Sequence, residues 1–124
     1  MLAGGMFVLK EGFARMLTSK AIRVCALSDL EDQTPFAVEV GDLPIVLVRD
    51  GNEVHALRDQ CSHAQVPLSE GKIVREGIEC WLHGACFDLR TGTPTSPPAV
   101  EPVAVYTVRV EGDDVFVDPG TTSH

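Results

Sequence analysis

Two short Cys-His pairs constrain the fold of this chain more than any other feature of its sequence. Cys61-x-His63 and Cys80-x-x-His83 each place one thiol and one imidazole a few residues apart, and sixteen residues separate the pairs. Both pairs lie in turn-rich sequence, since Ser69-Glu70-Gly71 follows the first and Gly84-Ala85 follows the second. Two thiolates and two imidazoles are a suitable ligand set for a thiophilic metal centre, to which each loop contributes half.

Two kinds of metal centre accommodate these four ligands. A structural zinc site takes two Cys and two His in a tetrahedron, but zinc fingers usually separate a Cys pair from a His pair that lies on a helix. In a binuclear [2Fe–2S] cluster one iron binds both thiolates and the other binds both imidazoles. Each loop then gives one ligand to each iron, as the mixed pairs require. The pattern favours the binuclear cluster, and zinc remains the weaker alternative.

Apolar residues with a period of two predict strands before the first loop. Ile22–Ala26 and Phe36–Val40 alternate, as half-buried strands do. Ile45–Val48 is apolar on both faces, which is typical of a central strand. Asp50-Gly51-Asn52 predicts a tight hairpin turn into a strand that begins near Val54.

The second half of the chain also reads as strands and turns. Arg75-Glu76-Gly77 and Gly112-Asp113 predict two further hairpins. Thr93–Pro102 carries four prolines, so we expect that it does not pair as a central strand and lies as an extended surface loop. We therefore expect an all-β fold: a small antiparallel β-sandwich or barrel with an inserted loop-rich lobe at about residues 59–98.

The length and the change of pattern suggest one domain with two short ends. A chain of 124 residues is long enough for one ordinary hydrophobic core. We assign the domain to residues 21–118, an N-terminal extension to 1–20 and a C-terminal tail to 119–124. Apolar residues at helical spacing within 1–20 predict a short amphipathic helix, although an extension from an upstream start codon explains them equally well.

Composition excludes several classes of function. The formal net charge of −8 argues against nucleic-acid binding, which requires clustered Lys and Arg. No apolar run approaches the roughly 20 residues that span a bilayer, and the N-terminal residues do not resemble a secretory signal, so we expect a cytoplasmic protein that does not bind membranes. In that compartment the four cysteines are better explained as metal ligands or free thiols than as disulfides.

The two-loop motif resembles that of the Rieske iron–sulfur family. Cys61-x-His63, Cys80-x-x-His83-Gly84 and the following Ala85–Asp88 are similar to the family's two loops, and the resemblance runs from about residue 21 to 118. It implies a Rieske-like β fold and one Rieske-type [2Fe–2S] cluster bound by Cys61, His63, Cys80 and His83. The sequence departs from the family at Trp81, where proline is commonest, and at Cys86, neither of which is a ligand position.

The resemblance also separates two branches of the family. High-potential members carry an extra cysteine in each loop that together form a disulfide, and these positions fall at Val66 and Leu82. The chain therefore resembles the disulfide-free ferredoxins of bacterial oxygenase systems. Ligation by histidine places family potentials at about −150 to +300 mV, and we expect the lower part of that range here.

The resemblance implies a one-electron carrier and not an enzyme. The expected partners are an NAD(P)H-dependent reductase and the terminal oxygenase of an aromatic-ring-hydroxylating dioxygenase system. The alternatives are the small subunit of an assimilatory nitrite reductase and an accessory protein of iron–sulfur cluster assembly.

Residues outside the motif have ordinary structural explanations. We expect His55 and His124 to have packing or surface roles, and Cys25 and Cys86 to be packed thiols. Trp81 is expected to pack near the iron–sulfur cluster.

Overall fold

The computed structural model describes residues 21–62, 66–82, 84–96 and 101–122. The predicted N-terminal helix and the histidines at 63, 83 and 124 lie outside these residues. The described chain forms ten strands and two 3₁₀ turns, and all pairings between strands are antiparallel, which confirms the all-β fold. The strands are β1 (Ile22–Ala26), β2 (Pro35–Val40), β3 (Leu43–Asp50), β4 (Glu53–Arg58), β5 (Lys72–Val74), β6 (Gly77–Glu79), β7 (Cys86–Phe87), β8 (Pro94–Ser96), β9 (Val105–Glu111) and β10 (Asp114–Thr122), and the 3₁₀ turns are Leu27–Asp29 and Leu68–Glu70.

Six strands form a curved sheet in the order β1-β10-β9-β4-β3-β2. Its two edge strands, β1 and β2, lie in contact, so the sheet is a nearly closed barrel. The predicted turn at Gly51 joins β3 to β4 with Asp50 opposite Glu53. Gly51 has φ +65°, a backbone conformation that is strained for residues with a side chain but not for glycine.

Strand β3 is buried on both faces because the barrel and the lobe pack on opposite sides of it. Ile45 and Leu47 point into the barrel core, whereas Val46 and Val48 point into a second core beneath the lobe. None of these four side chains is exposed to solvent. The apolar run that predicted a central strand thus reflects two separate cores.

The lobe is an insertion between β4 and β9, which pair directly through Leu57 and Val105. The Arg58 N–H donates to the Ala104 carbonyl at 2.9 Å, so the chain leaves and re-enters the barrel at one place. This arrangement confirms the predicted inserted lobe.

A four-stranded sheet in the order β5-β6-β7-β8 forms the body of the lobe. Residues 94–96 pair with β7 as an edge strand, so the proline segment is not a central strand, as predicted, but the prediction of a loop was wrong for these three residues. An edge position tolerates Pro94, because one side of an edge strand needs no ladder hydrogen bonds. Pro97-Pro98 lies outside the described residues.

The last strand, β10, extends to Thr122, and its pairing with β9 shifts after Asp118. The division of the chain at residues 20 and 118 stays a prediction. In the described residues, no helix is sufficiently long and apolar to cross a membrane.

Candidate metal centre

The first loop leaves β4 and presents Cys61 from a closed turn. The Cys61 N–H donates to the Val66 carbonyl at 2.9 Å, which closes the loop over five residues. The Cys61 residue is only 2% exposed. His63, the second residue after Cys61, belongs to the segment 63–65, which is outside the described residues.

The second loop joins β6 to β7 and presents Cys80 in the same way. The Cys80 N–H donates to the Ala85 carbonyl at 2.6 Å, again over five residues, and the Gly84 N–H donates back to the Cys80 carbonyl at 3.1 Å. Gly84 has φ +78°, which lets the chain reverse within the loop. Cys80 is fully buried, and His83 lies outside the described residues.

The two loops are therefore matched at their cysteines. In each loop the cysteine is anchored by its own backbone N–H, and the predicted histidine comes in the sequence between the two bonded residues. Both cysteines belong to one buried core beneath the lobe, which we call the lobe core. Its other buried members are Val46, Val48, Leu57, Leu68, Ile78, Ala85, Phe87, Val103 and Val105.

A buried carboxylate closes the base of the first loop. Asp59, 8% exposed, accepts the Ser69 N–H at 2.7 Å and the Ser69 hydroxyl at 2.6 Å. The Asp59 N–H in turn donates to the Pro44 carbonyl on β3 at 3.0 Å. Asp59 thus ties both ends of the loop around Cys61 to the barrel.

A third contact joins the first loop to the segment that returns to the barrel. The Ser62 hydroxyl donates to the Glu101 carbonyl at 2.7 Å. Sequence reasoning missed both Ser62 and Asp59, because their partners are 39 and 10 residues away and no local pattern marks them.

The second loop is positioned by close backbone packing. A Cβ at Gly77, at the start of β6, would collide with the Phe87 carbonyl, and a Cβ at Gly71 would collide with the Glu79 carbonyl. These contacts require glycine because the strands approach closely on each side of Cys80.

All four cysteines are buried, and none of them is bonded to another cysteine in the described residues. Cys25 lies in the barrel core, and Cys86 begins β7. Burial raises the pKa of both thiols above the ordinary value, so they remain protonated and packed. Their placement agrees with the structural roles predicted for them.

The chemistry of the described site fits a thiophilic centre. Cys61 and Cys80 lie among apolar side chains, and their sulfurs are soft ligands of the kind that iron and zinc bind. In the part of the chain that the structure describes, no group of three or more His, Cys, Asp or Glu gathers as a metal site. The imidazole half of the predicted set falls on the two undescribed positions.

The tip of the second loop differs from expectation. The Trp81 side chain was expected to pack, but Trp81 is 54% exposed and the neighbouring Leu82 is 38% exposed. His55 lies on β4 with a side chain that is 12% exposed, which agrees with the packing role predicted for it.

Comparison with known proteins identifies the family. Residues 20–107 match the Rieske [2Fe-2S] domain. The chain belongs to the Rieske family. Its resident cofactor is therefore a Rieske-type [2Fe–2S] cluster, to which the two buried thiols are suited, and the zinc alternative is set aside.

Curated relatives from this family are ferredoxins of dioxygenase systems. The chain is 41% identical over 96 residues to the ferredoxin component of biphenyl 2,3-dioxygenase from Rhodococcus jostii (strain RHA1), covering 77% of this chain and 90% of the relative. It is 39% identical over 95 residues to the anthranilate 1,2-dioxygenase ferredoxin subunit from Burkholderia cepacia, covering 77% and 88%. This Rieske protein is thus an electron carrier and not itself a catalyst.

Solved structures agree with the sequence relatives. The ferredoxin of carbazole 1,9a-dioxygenase from Nocardioides aromaticivorans IC177 superposes with a TM-score of 0.77 at 42% identity, covering 82% of this chain and 99% of that one. A chain from the complex of reduced oxygenase and oxidized ferredoxin in carbazole 1,9a-dioxygenase gives a TM-score of 0.77 at 35% identity, covering 86% and 99%.

Proposed function

We propose that Cys61, His63, Cys80 and His83 hold the [2Fe–2S] cluster of this Rieske protein. One observation carries the assignment: Cys61 and Cys80 are presented by matched closed turns and are buried in a single core. His63 is the second residue after Cys61 and His83 is the third residue after Cys80, so each loop supplies one thiolate and one imidazole.

The bound cluster supplies reversible one-electron chemistry. The protein's own part is to hold the ligands and exclude water. The apolar wall of Val46, Leu57 and Phe87 keeps solvent from the two thiolates, and the anchored N–H groups of Cys61 and Cys80 fix the backbone of each loop.

The protein accepts electrons from an NAD(P)H-dependent reductase and passes them to the terminal oxygenase of an aromatic-ring-hydroxylating dioxygenase system. The relatives' names and the solved oxygenase–ferredoxin complex support the oxygenase as acceptor. The acidic net charge of −8 favours partners with basic docking surfaces and argues against nucleic acid. A cytoplasmic location without membrane attachment follows for a carrier between such components.

Spectroscopy of the purified protein tests the site. We expect two iron and two sulfide per chain, and a rhombic EPR signal with low average g after reduction by dithionite. Cys61→Ser and Cys80→Ser should lose this signal, whereas Cys25→Ser, a substitution in the barrel core, should retain it. A colourless protein with stoichiometric zinc would refute the assignment.

Electron transfer is tested separately with purified components. The reduced protein is mixed with a terminal oxygenase in a stopped-flow instrument, and reoxidation of the ferredoxin should accompany reduction of the oxygenase. A cluster-loaded protein that donates to no aromatic-ring dioxygenase would exclude the proposed acceptor while leaving the cluster assignment intact.

A further inference from the structure

The exposed tryptophan of the second loop shares a hollow with two carboxylates. The hollow, about 300 Å³ in volume, is lined by Glu70, Gly71, Lys72, Glu79 and Trp81. Tryptophan is the most costly apolar side chain to leave in water, and it is enriched at the centres of protein interfaces. An indole with half its surface in solvent beside acidic groups is suited to binding a cation.

The two carboxylates are held near each other by the backbone. Gly71 packs against the Glu79 carbonyl so closely that no side chain fits between them. The Gly71 N–H donates to the Leu68 carbonyl at 2.9 Å, which fixes the turn that carries Glu70. The floor of the hollow is therefore preorganised, and binding a cation there orders little of the chain.

The hollow already holds one cation loosely. Lys72 lies opposite Glu79 in the β5–β6 pairing, with its Nζ 3.8 Å from the Glu79 Oε1. The Lys72 side chain is 73% exposed, and an exposed ion pair of this length contributes little stability. A second cation with better geometry can therefore replace it.

We propose that this hollow binds an arginine side chain presented by the electron-accepting oxygenase. The guanidinium stacks on the Trp81 indole and binds the Glu79 carboxylate, with Glu70 on the rim, and the Lys72 ammonium moves out to solvent. Arginine fits better than lysine because its planar fork binds a carboxylate at two points and stacks on an aromatic face. The identity of the partner protein rests on the proposed function; the preference for arginine rests on the hollow alone.

Peptide binding to the cluster-loaded protein tests the proposal. The probes are dye-labelled acetyl-Gly-Arg-Gly-Arg-Gly amide and the same peptide with lysine or citrulline in place of arginine, followed by fluorescence anisotropy. We expect the arginine peptide to bind about threefold to tenfold more tightly than the lysine peptide, and the citrulline peptide to bind weakest.

Variants with the same charge change inside and outside the hollow distinguish specific recognition of arginine from a general effect of the protein's net charge. Trp81→Leu and Glu79→Gln should each weaken arginine-peptide binding about threefold to tenfold. Trp81→Phe keeps an aromatic face and should therefore retain most of the affinity for the arginine peptide. Lys72→Ala should tighten binding because the competing ammonium is gone. The controls are Glu39→Gln and Arg75→Ala, which make the same charge changes at exposed positions outside the hollow.

Several results would overturn the proposal. They are equal affinities for the arginine and lysine peptides, equal effects of Glu79→Gln and Glu39→Gln, and self-association of the protein that Trp81→Leu abolishes. The EPR signal of each variant reports separately whether the iron–sulfur cluster is present. Loss of arginine preference with an intact signal therefore contradicts this inference alone, and loss of the signal in the unmodified protein contradicts the proposed function.

Discussion

Removal of the Asp59 carboxylate is expected to open the first cluster loop. The two Asp59 oxygens bind the Ser69 N–H at 2.7 Å and the Ser69 hydroxyl at 2.6 Å, and the residue is buried. These bonds join the start of the loop to the 3₁₀ turn that follows it, with Cys61 between them. Asp59→Ala removes both bonds and leaves two donors of Ser69 without their acceptor.

The size of the effect follows from the two bonds. A hydrogen bond to a charged group contributes about 1.5–3 kcal/mol of stability. The two Asp59 bonds are only partly shielded from solvent, so each should contribute near the lower end of this range, and Asp59→Ala, which removes both, should cost about 3 kcal/mol. Ser69→Ala loses only the hydroxyl bond and should cost about 1.5 kcal/mol. The double variant with Asp59→Ala and Ser69→Ala should lose about as much stability as Asp59→Ala alone, because the Ser69 hydroxyl has no acceptor once the Asp59 carboxylate is gone.

The assay is the rate at which the visible absorbance of the cluster decays in the presence of an iron chelator. If the loop must open before iron is lost, about 3 kcal/mol corresponds to a decay roughly a hundredfold faster. Asp118→Ala is the control, since this buried carboxylate accepts the Gly120 N–H on β10, a strand of the barrel. Decay of Asp59→Ala at the unmodified rate, or equal acceleration by Asp118→Ala, would refute the reasoning.

Three further predictions concern the strands and the buried thiols. Gly77→Ala should lower the melting temperature by about 5 °C or more, because its Cβ would collide with a backbone carbonyl, whereas Gly112→Ala, with open space around its Cβ, should lower it less; equal shifts would contradict this. Burial lowers the folded pKa of His55 below its unfolded value of about 6.5, so the unfolded chain takes up the proton first and stability should fall as the pH drops below about 6.5. The urea midpoint should therefore fall between pH 7.5 and 5.5, and a midpoint equally sensitive in His55→Gln would contradict this role. Because burial raises the pKa of Cys25 and Cys86, a disulfide reagent at pH 8 should find no rapidly reacting thiol in the cluster-loaded protein and four after denaturation and cluster removal; rapid labelling of either residue would be inconsistent with the described packing.

The repeating patterns of the sequence predicted the framework well. The strands β1 and β2 and the Gly51 turn after β3 have local signals, and each lies where it was predicted. Within β1 the predicted alternation does not hold, because the pairing shifts between Arg23 and Cys25, so that Cys25 is buried and Ile22 is exposed. The motif around Cys61 and Cys80 could also be recognised from the sequence, because metal ligation depends on residue type and spacing.

Contacts between distant residues could not be read in this way. The hydrogen bonds of Asp59 and Ser62 depend on how the lobe folds back on the barrel, and nothing near either residue indicates its partner. The edge strand at Pro94 was hidden because proline argues against a strand unless the position is known to be at an edge. The exposure of Trp81 was missed for a related reason, since an aromatic residue between two ligands is compatible with either a packed or an open position.

The structure divides the cluster region into a buried interior and an exposed tip, and this division has a consequence for partner choice. Cys61 and Cys80 pack in the lobe core, which includes Val46 and Val48 of β3, so their positions depend on this buried interior and not on the exposed tip. Trp81 and Leu82 point into solvent between the two predicted ligands of the second loop. Substitutions at these two positions can therefore change which protein docks while the ligands stay in place. A Rieske ferredoxin built in this way can acquire a new acceptor through its tip without rebuilding the site that carries the electron.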